Sequence, residues 1–426
     1  RLSLVGSEMC IRDRNGGLLD PAAQATTTVA LEQHRETAAV RAILAMAVGG
    51  FAIGTGEFVI MGLLPEVANG LSVTIPQAGH VISAYALGVT IGAPVLAVAC
   101  AHWRRRQLLI ALMVLFTLGN FASALAPGYV SLNVLRFITA LPHGTYFGVA
   151  ALVAATLAPP GQRARAVGWL MLGLTTATLF GVPVAAWLGQ HLGWRYAFVL
   201  VGLLALLAIY LIRRWVPDLP ADTQASPLRE LGALRRKQVW LTLGIGAIGL
   251  GGLFSVYSYI KPTMMELAGM SLSGIPVVLA LFGVGMILGN VVGSALADKW
   301  LKPTMGGLLV WAFLVLVAFV FTANNLWLAC INVLLVGTLV AIGPTLQIRL
   351  MDVAGDAQTL AAALNHSAFN MANALGAWLG GLTIAAGLGW TSTAWVGAIL
   401  ALAGMVMFAW SMQVDRADAR RRLPAV

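Results

Sequence analysis

The chain has 426 residues, 59% of them hydrophobic and only 10% charged, whereas a soluble domain carries roughly 25% charged residues. That balance excludes water as the main solvent. The net charge of +10 sits between apolar runs, so it reads as membrane topology with some attraction to anionic lipid, and no nucleic-acid partner is expected.

In chain order, residues 1–38 form an N-terminal tail expected on the cytoplasmic side. Within it "LVGSEMCIRDR" (Leu4 to Arg14) has no apolar core of a signal peptide; it looks like translated adapter sequence and is set aside as a non-native scar, which leaves the native start open. Six apolar runs follow at 42–65, 75–99, 107–126, 131–158, 165–189 and 195–215, then a hydrophilic stretch from Arg213 to Gln238. Six more lie at 239–260, 273–297, 304–323, 326–348, 358–386 and 391–412. Each is long enough for the roughly 20 residues that cross a bilayer core as a helix. The fold class expected is an all-α polytopic membrane protein of twelve transmembrane helices: a half over 39–215, a cytoplasmic linker over 216–238, a half over 239–413 and a cytoplasmic tail over 414–426. Of the 26 Lys and Arg, 23 fall in the tails and even-numbered connections. By the positive-inside rule that face, with both termini, is cytoplasmic.

The halves repeat. "HLGWRYAFVLVGLLALL" from His191 resembles "GLGWTSTAWVGAILALA" from Gly387 at an offset of 196, and "GVTIGAPVLAVACAHW" resembles "GVGMILGNVVGSALADKW" at about 197.

Glu57, in "FAIGTGEFVIMGLLPE", is the one carboxylate well inside an apolar run. An ionisable group at mid-membrane costs about 2.5–3.5 kcal/mol on insertion scales, so it reads as functional by default, with a buried packing hydrogen bond as the plain alternative. Arg136 in span 4 falls at similar depth, roughly 9 Å against 12 Å at 1.5 Å per residue. It is a candidate partner able to shift Glu57 between protonation states, or else a structural cation snorkelling outward. His143 is seven residues on, on the same helical face. It suits a proton relay or simple packing, as does His366. Asn365, Asn370 and Asn373 beside His366 form either a polar cavity wall or helix-to-helix bonds. Gly173, Gly181 and Pro183 permit close approach and a kink in span 5. The cysteines, Cys10, Cys100 and Cys330, show no pairing or metal spacing, and no nucleotide loop or hydrolase motif occurs. No metal, no cofactor and no enzyme activity are expected.

With these residues in view the sequence resembles the drug:proton antiporters of the major facilitator superfamily, in the branch of arabinose-efflux-permease and chloramphenicol-resistance-like exporters. The likeness runs from about residue 39 to 412 and is carried by "GEFVIMGLLPEVA", "RFITALPHGTYFGVAALVAA", "RARAVGWLMLGLTTATLFGVPVAAWLGQHLGWR" and "AGDAQTLAAALNHSAFNMANALGAWLGG". It implies two six-helix halves rocking about a central cavity. By the same resemblance Glu57 is the acid that binds protons or cationic substrate, and Arg136 the arginine of the proton-coupling motif. Gly173, Gly181 and Pro183 match the antiporter motif of span 5, although "GVPVAAW" departs from its paired glycines. Arg104, Arg105 and Arg106 match the loop signature after span 2, but Ala or Cys stands where its Asp belongs. The second half keeps that acid as Asp298, beside Lys299. The expectation is a monomeric bacterial inner-membrane antiporter exporting small drug-like or sugar-like compounds, with protons, substrate and lipid as partners. Proton-linked uptake by the same fold, and a non-transporting sensor, are the alternatives.

Overall fold

A computed structural model describes residues 21–73, 75–219 and 226–422. The expected scar at Leu4 to Arg14, with Cys10, lies outside the described residues. Among the described residues ten helices are long and apolar enough to cross a membrane: Glu36–Leu71, Gln77–Ala99, Arg105–Ala124, Tyr129–Leu157, Arg163–Leu192, Trp194–Trp215, Lys237–Tyr257, Ile275–Thr322, Leu326–Ala354 and Ser392–Asp418.

The architecture is nonetheless twelve-spanned, for two physical reasons. Ile275–Thr322, at 48 residues, is two spans joined through Trp300, whose φ of −143° and ψ of 68° are not helical. The other helix, Gln358–Ala385, is 28 residues long but carries Asn365, His366, Asn370 and Asn373, which lower its apolar character. Numbered in chain order, spans 8 and 9 meet at Trp300, Gln358–Ala385 is span 11 and Ser392–Asp418 is span 12. Several boundaries differ from the sequence reading: the first helix begins at Pro21, inside the expected tail, and span 10 stays helical to Ala354. Pro65 does not end span 1, which stays helical to Leu71, and the last helix runs on to Arg422.

The outward faces are apolar where a soluble bundle would be charged: Leu87, Ile91 and Val95 at helical spacing on span 2 are each about half exposed. Inside, one large cluster of buried side chains belongs mainly to spans 1–6 and another to spans 7–12. Between the halves, span 8 packs on span 5, and span 11 packs on spans 2 and 4. The first pairing and the span 2 to span 11 pairing are equivalent under the duplication. Glycine permits close approach of spans 4 and 11, since a Cβ on Gly148 would lie 2.6 Å from the Ala363 nitrogen.

The linker carries its own short helix, Pro227–Leu231. Ser226 caps it, accepting from the Arg229 amide at 3.2 Å, and Pro227 occupies the first turn, where no amide donor is needed.

Candidate functional site

Span 4 is interrupted at its centre. Pro142 has no amide hydrogen to donate and crowds the preceding turn, so the helix Tyr129–Ala140 gives way at Leu141 and resumes as Pro142–Leu157. His143 follows this break and is almost fully buried. Its Nδ1 lies 3.3 Å from the Tyr85 hydroxyl, and its ring centroid is 5.3 Å from that of His366. Phe147 stacks on His366 at 4.5 Å. Spans 4 and 11, one from each half, thus share an aromatic contact at mid-bundle.

Beside it lies a narrow cavity between the halves, about 90 Å³ in volume. Glu57, His143, His366, Asn370 and Asn373 line it, set among Leu, Met and Phe side chains, and Glu57 is the single acid in that lining. A mostly apolar concavity with a few polar groups suits a small, partly apolar ligand. Asn365 is not part of the wall. It is buried and donates to Gln347 Oε1 at 2.6 Å. The spacing explains the difference: 366, 370 and 373 share one helical face, while 365 is turned about 100° from it.

Arg136 does not line the cavity. Fully buried, it donates from Nη2 to the Gly56 carbonyl at 2.9 Å, and its guanidinium lies 4.2 Å over the Tyr85 ring. Among the described residues no ion pair joins it to Glu57. It grips the backbone one residue before that carboxyl, while its Nε and Nη1 have no partner, like Nε2 of His366. Buried donors are seldom left unmatched, so these mark groups with capacity to spare.

Span 5 holds the cavity wall against span 1. A Cβ on Gly173 would meet the Ala47 carbonyl oxygen at 2.0 Å, and one on Gly181 the Thr55 hydroxyl at 2.1 Å. Just before Pro183 the helix widens into a π-turn, Ala177–Gly181. Proline's missing donor relaxes the ladder there, and such turns recur at functional sites.

The polar contacts that join the halves sit toward the face bearing the termini, here the terminal face. Asn290 of span 8 donates to the Gly168 carbonyl at 2.6 Å, and Ser367 reaches the Thr90 carbonyl at 3.4 Å. Arg163 pairs with Asp352 at 2.9 Å. Asp298 accepts the amides of Ala164 and Arg165 at 2.6 and 3.0 Å, so a carboxylate caps the N-terminus of span 5, where the helix dipole favours negative charge. Lys299 instead lies 6.0 Å over the Trp300 ring. The three arginines after span 2 bond to the first half and to the start of the linker. Arg104 pairs with Asp218 at 2.8 Å, Arg105 donates to the Thr156 hydroxyl, and Arg106 to the Arg213 carbonyl.

Sequence reasoning did not single out Tyr85, Asn290, Gln347 or Arg349. Arg349 is 6% exposed and donates to both carboxylate oxygens of Asp415, at 2.8 and 2.7 Å, while Lys302 and Gln238 bind the same acid. An Asn inside the span 8 run, a Gln near the end of the span 10 run and an Arg just past it were available signals; Tyr85 carried none. Among the described residues no group of three or more His, Cys, Asp or Glu is placed to hold a metal ion.

Twelve spans in two repeated halves, enclosing a cavity with one acid in its lining, define a secondary transporter. The chain belongs to the Major Facilitator Superfamily, whose model matches residues 46–356 and 243–426. It is 41% identical to the inner membrane transport protein YdhP of Escherichia coli (strain K12) over 368 residues, covering 86% of this chain and 95% of that one. It is 32% identical to a chloramphenicol resistance protein of Streptomyces lividans, covering 88% and 98%. Among solved structures it superposes on the proton:xylose symporter XylE with a TM-score of 0.72 at 17% identity, covering 88% and 96%. The chain is therefore a multi-pass inner-membrane transporter rather than an enzyme.

Proposed function

We propose that the chain is a proton-coupled antiporter that exports small, partly apolar compounds by alternating access, with the terminal face in the cytoplasm. The observation carrying this reading is Glu57 as the single acid lining an otherwise largely apolar cavity between the halves. Protons entering down their gradient load Glu57 and displace substrate toward the outside, each charge moved gaining about 2.3 kcal/mol per 100 mV. Arg136 modulates that exchange. Held by the Gly56 carbonyl with two nitrogens unpartnered, it has donors ready for Glu57 when the halves move and the carboxyl ionises. His143 and His366, touching across the halves, with Asn370 and Asn373, contribute the polar part of the substrate wall.

The arrangement of contacts corresponds to a state closed on the terminal face, with Asp298, Asn290 and the Arg163–Asp352 pair as its bars. The excess of cations on that face supports a cytoplasmic assignment, and resistance as a physiological role is consistent with the name of the Streptomyces lividans relative.

The test is a compound panel, amphenicols and pentoses among its members, added to inverted vesicles holding an acid interior. An antiported member dissipates the proton gradient as it enters. Uptake of a solute driven by the opposite gradient would instead assign proton-linked import, and solute movement indifferent to protons would remove the coupling.

A further inference from the structure

The duplication aligns the two halves of the gate residue by residue. An offset of 196 carries Ala164, whose amide Asp298 accepts, to Leu360; an offset of 197 carries Asp298 to Ala101. The first half therefore has an alanine where its own closing acid would stand. The helix N-terminus that acid would cap, at span 11, is nevertheless capped. The Leu360 amide donates to Glu230 Oε2 at 2.8 Å, with Thr359 lining the same small cavity as that carboxylate.

Glu230 comes from the linker helix. It is 4% exposed, although Leu228 on the same short helix is 83% exposed, so the helix turns its acid inward and its leucine out. The linker also packs where the missing acid would sit. Ala101 and Glu230 line one cavity, with Arg105 and Thr359 on its walls. Ala233, wholly buried just beyond the helix, joins a cluster with Ala93 and Ala97 of span 2 and with Leu360 of span 11. The linker thus touches both halves at the surface along which they part.

We propose that Glu230 is the second closing acid of the terminal face, doing for span 11 what Asp298 does for span 5. The linker is then a working part of the gate and not a tether. Glu230 is a positioning residue, since it meets no substrate. It holds the N-terminus of span 11 against the first half, and span 11 carries His366, Asn370 and Asn373 into the cavity. The inference rests on the alternating-access reading above.

The experiment measures the distance between spin labels at Arg214 and Arg416, exposed positions on the terminal face of either half, in the full chain reconstituted in lipid with Cys10, Cys100 and Cys330 replaced by serine. The parent should populate a narrow and a wide separation, the narrow one dominant. Glu230→Ala should raise the wide-to-narrow ratio about tenfold, as expected for losing a charge-assisted bond at a helix N-terminus, and Glu230→Gln, which keeps one acceptor, should raise it less. Adding Ala101→Asp to Glu230→Ala should return the ratio toward the parent's, a rescue that a merely structural role for the linker would not give. Should Glu230→Ala fail to fold, Glu230→Gln and the double variant carry the comparison. An unchanged ratio in Glu230→Gln and Glu230→Ala, or a raised ratio that Ala101→Asp does not lower, overturns the proposal. A parent holding one separation under every gradient instead overturns the alternating reading beneath it, so the two failures are distinct.

Discussion

Asp298→Ala is the most informative perturbation of the gate, because the contacts it removes are few and directional. The carboxylate accepts two backbone amides at 2.6 and 3.0 Å at the start of span 5. Hydrogen bonds to a charged group are worth about 1.5–3 kcal/mol each, but both partners rehydrate when the halves part, so only part of the sum separates the closed state from the open one. The Arg165 pair adds little: it spans 3.8 Å and the arginine is 45% exposed, and such surface pairs contribute about 0–1 kcal/mol. A net loss of about 1.5–3 kcal/mol is the expectation, which at 1.4 kcal/mol per decade shifts the open-to-closed ratio roughly ten- to hundredfold. The readout is the alkylation rate of Ser367→Cys, in a background lacking the native cysteines, by an impermeant maleimide applied to inverted vesicles. Ser367 sits at the inter-half contact with Thr90, so the rate follows the population open to the terminal face. It should rise by that factor in Asp298→Ala and by less in Asp298→Asn. An unchanged rate in Asp298→Ala would refute the claim that this cap holds the face shut.

Gly173→Ala should lower the thermal midpoint in detergent and impair transport, by an overpacking cost of about 1–3 kcal/mol, because the Ala47 carbonyl oxygen 2.0 Å from the new Cβ is backbone and has little room to yield. Gly79→Ala, with nothing within 4 Å, is the matched control and should leave the midpoint unchanged or raised; equal losses in both would show that close packing is not the cause. Asn365→Ala and Asn370→Ala should separate stability from function. The first strands the buried Gln347 Oε1 and should cost about 1–3 kcal/mol in a denaturation series, with transport per folded molecule retained, whereas the second, on the cavity wall, should change apparent substrate affinity with little loss of stability. The reverse pattern would misplace both residues. Arg349→Ala should destabilise the terminal ends of spans 10 and 12 by leaving Asp415 short of its best partner. Arg349→Lys should recover only part, lacking the planar fork, and full recovery would mean that charge alone matters there.

Much of this arrangement was legible in the residue pattern, and the parts that were not share a cause. Apolar runs mark the spans because each must cover a bilayer with its own side chains. Even the least apolar of them, span 11, is explained by the cavity that His366, Asn370 and Asn373 face. The helical period could also have set Asn365 aside, since it is turned from its three neighbours. Pro142 as the break that introduces His143 was visible but ambiguous, as Pro65 shows by staying inside a helix. What no local pattern contains is the partner across a long sequence separation. The Gly56 carbonyl for Arg136, the Ala164 amide for Asp298 and the Leu360 amide for Glu230 are backbone groups, which every residue carries and no residue type announces. The linker, read as a hydrophilic spacer for its charge and prolines, could not disclose that one of its acids is buried.

Glu57 is the group proposed to take up and give off the proton. The direct measurement is substrate accumulation in inverted vesicles under an imposed acid-interior gradient, comparing the parent with Glu57→Gln at matched levels of folded protein. Glu57→Gln should lose the gradient-driven component and keep substrate exchange at equilibrium. Accumulation equal to the parent's under the same gradient would contradict that role.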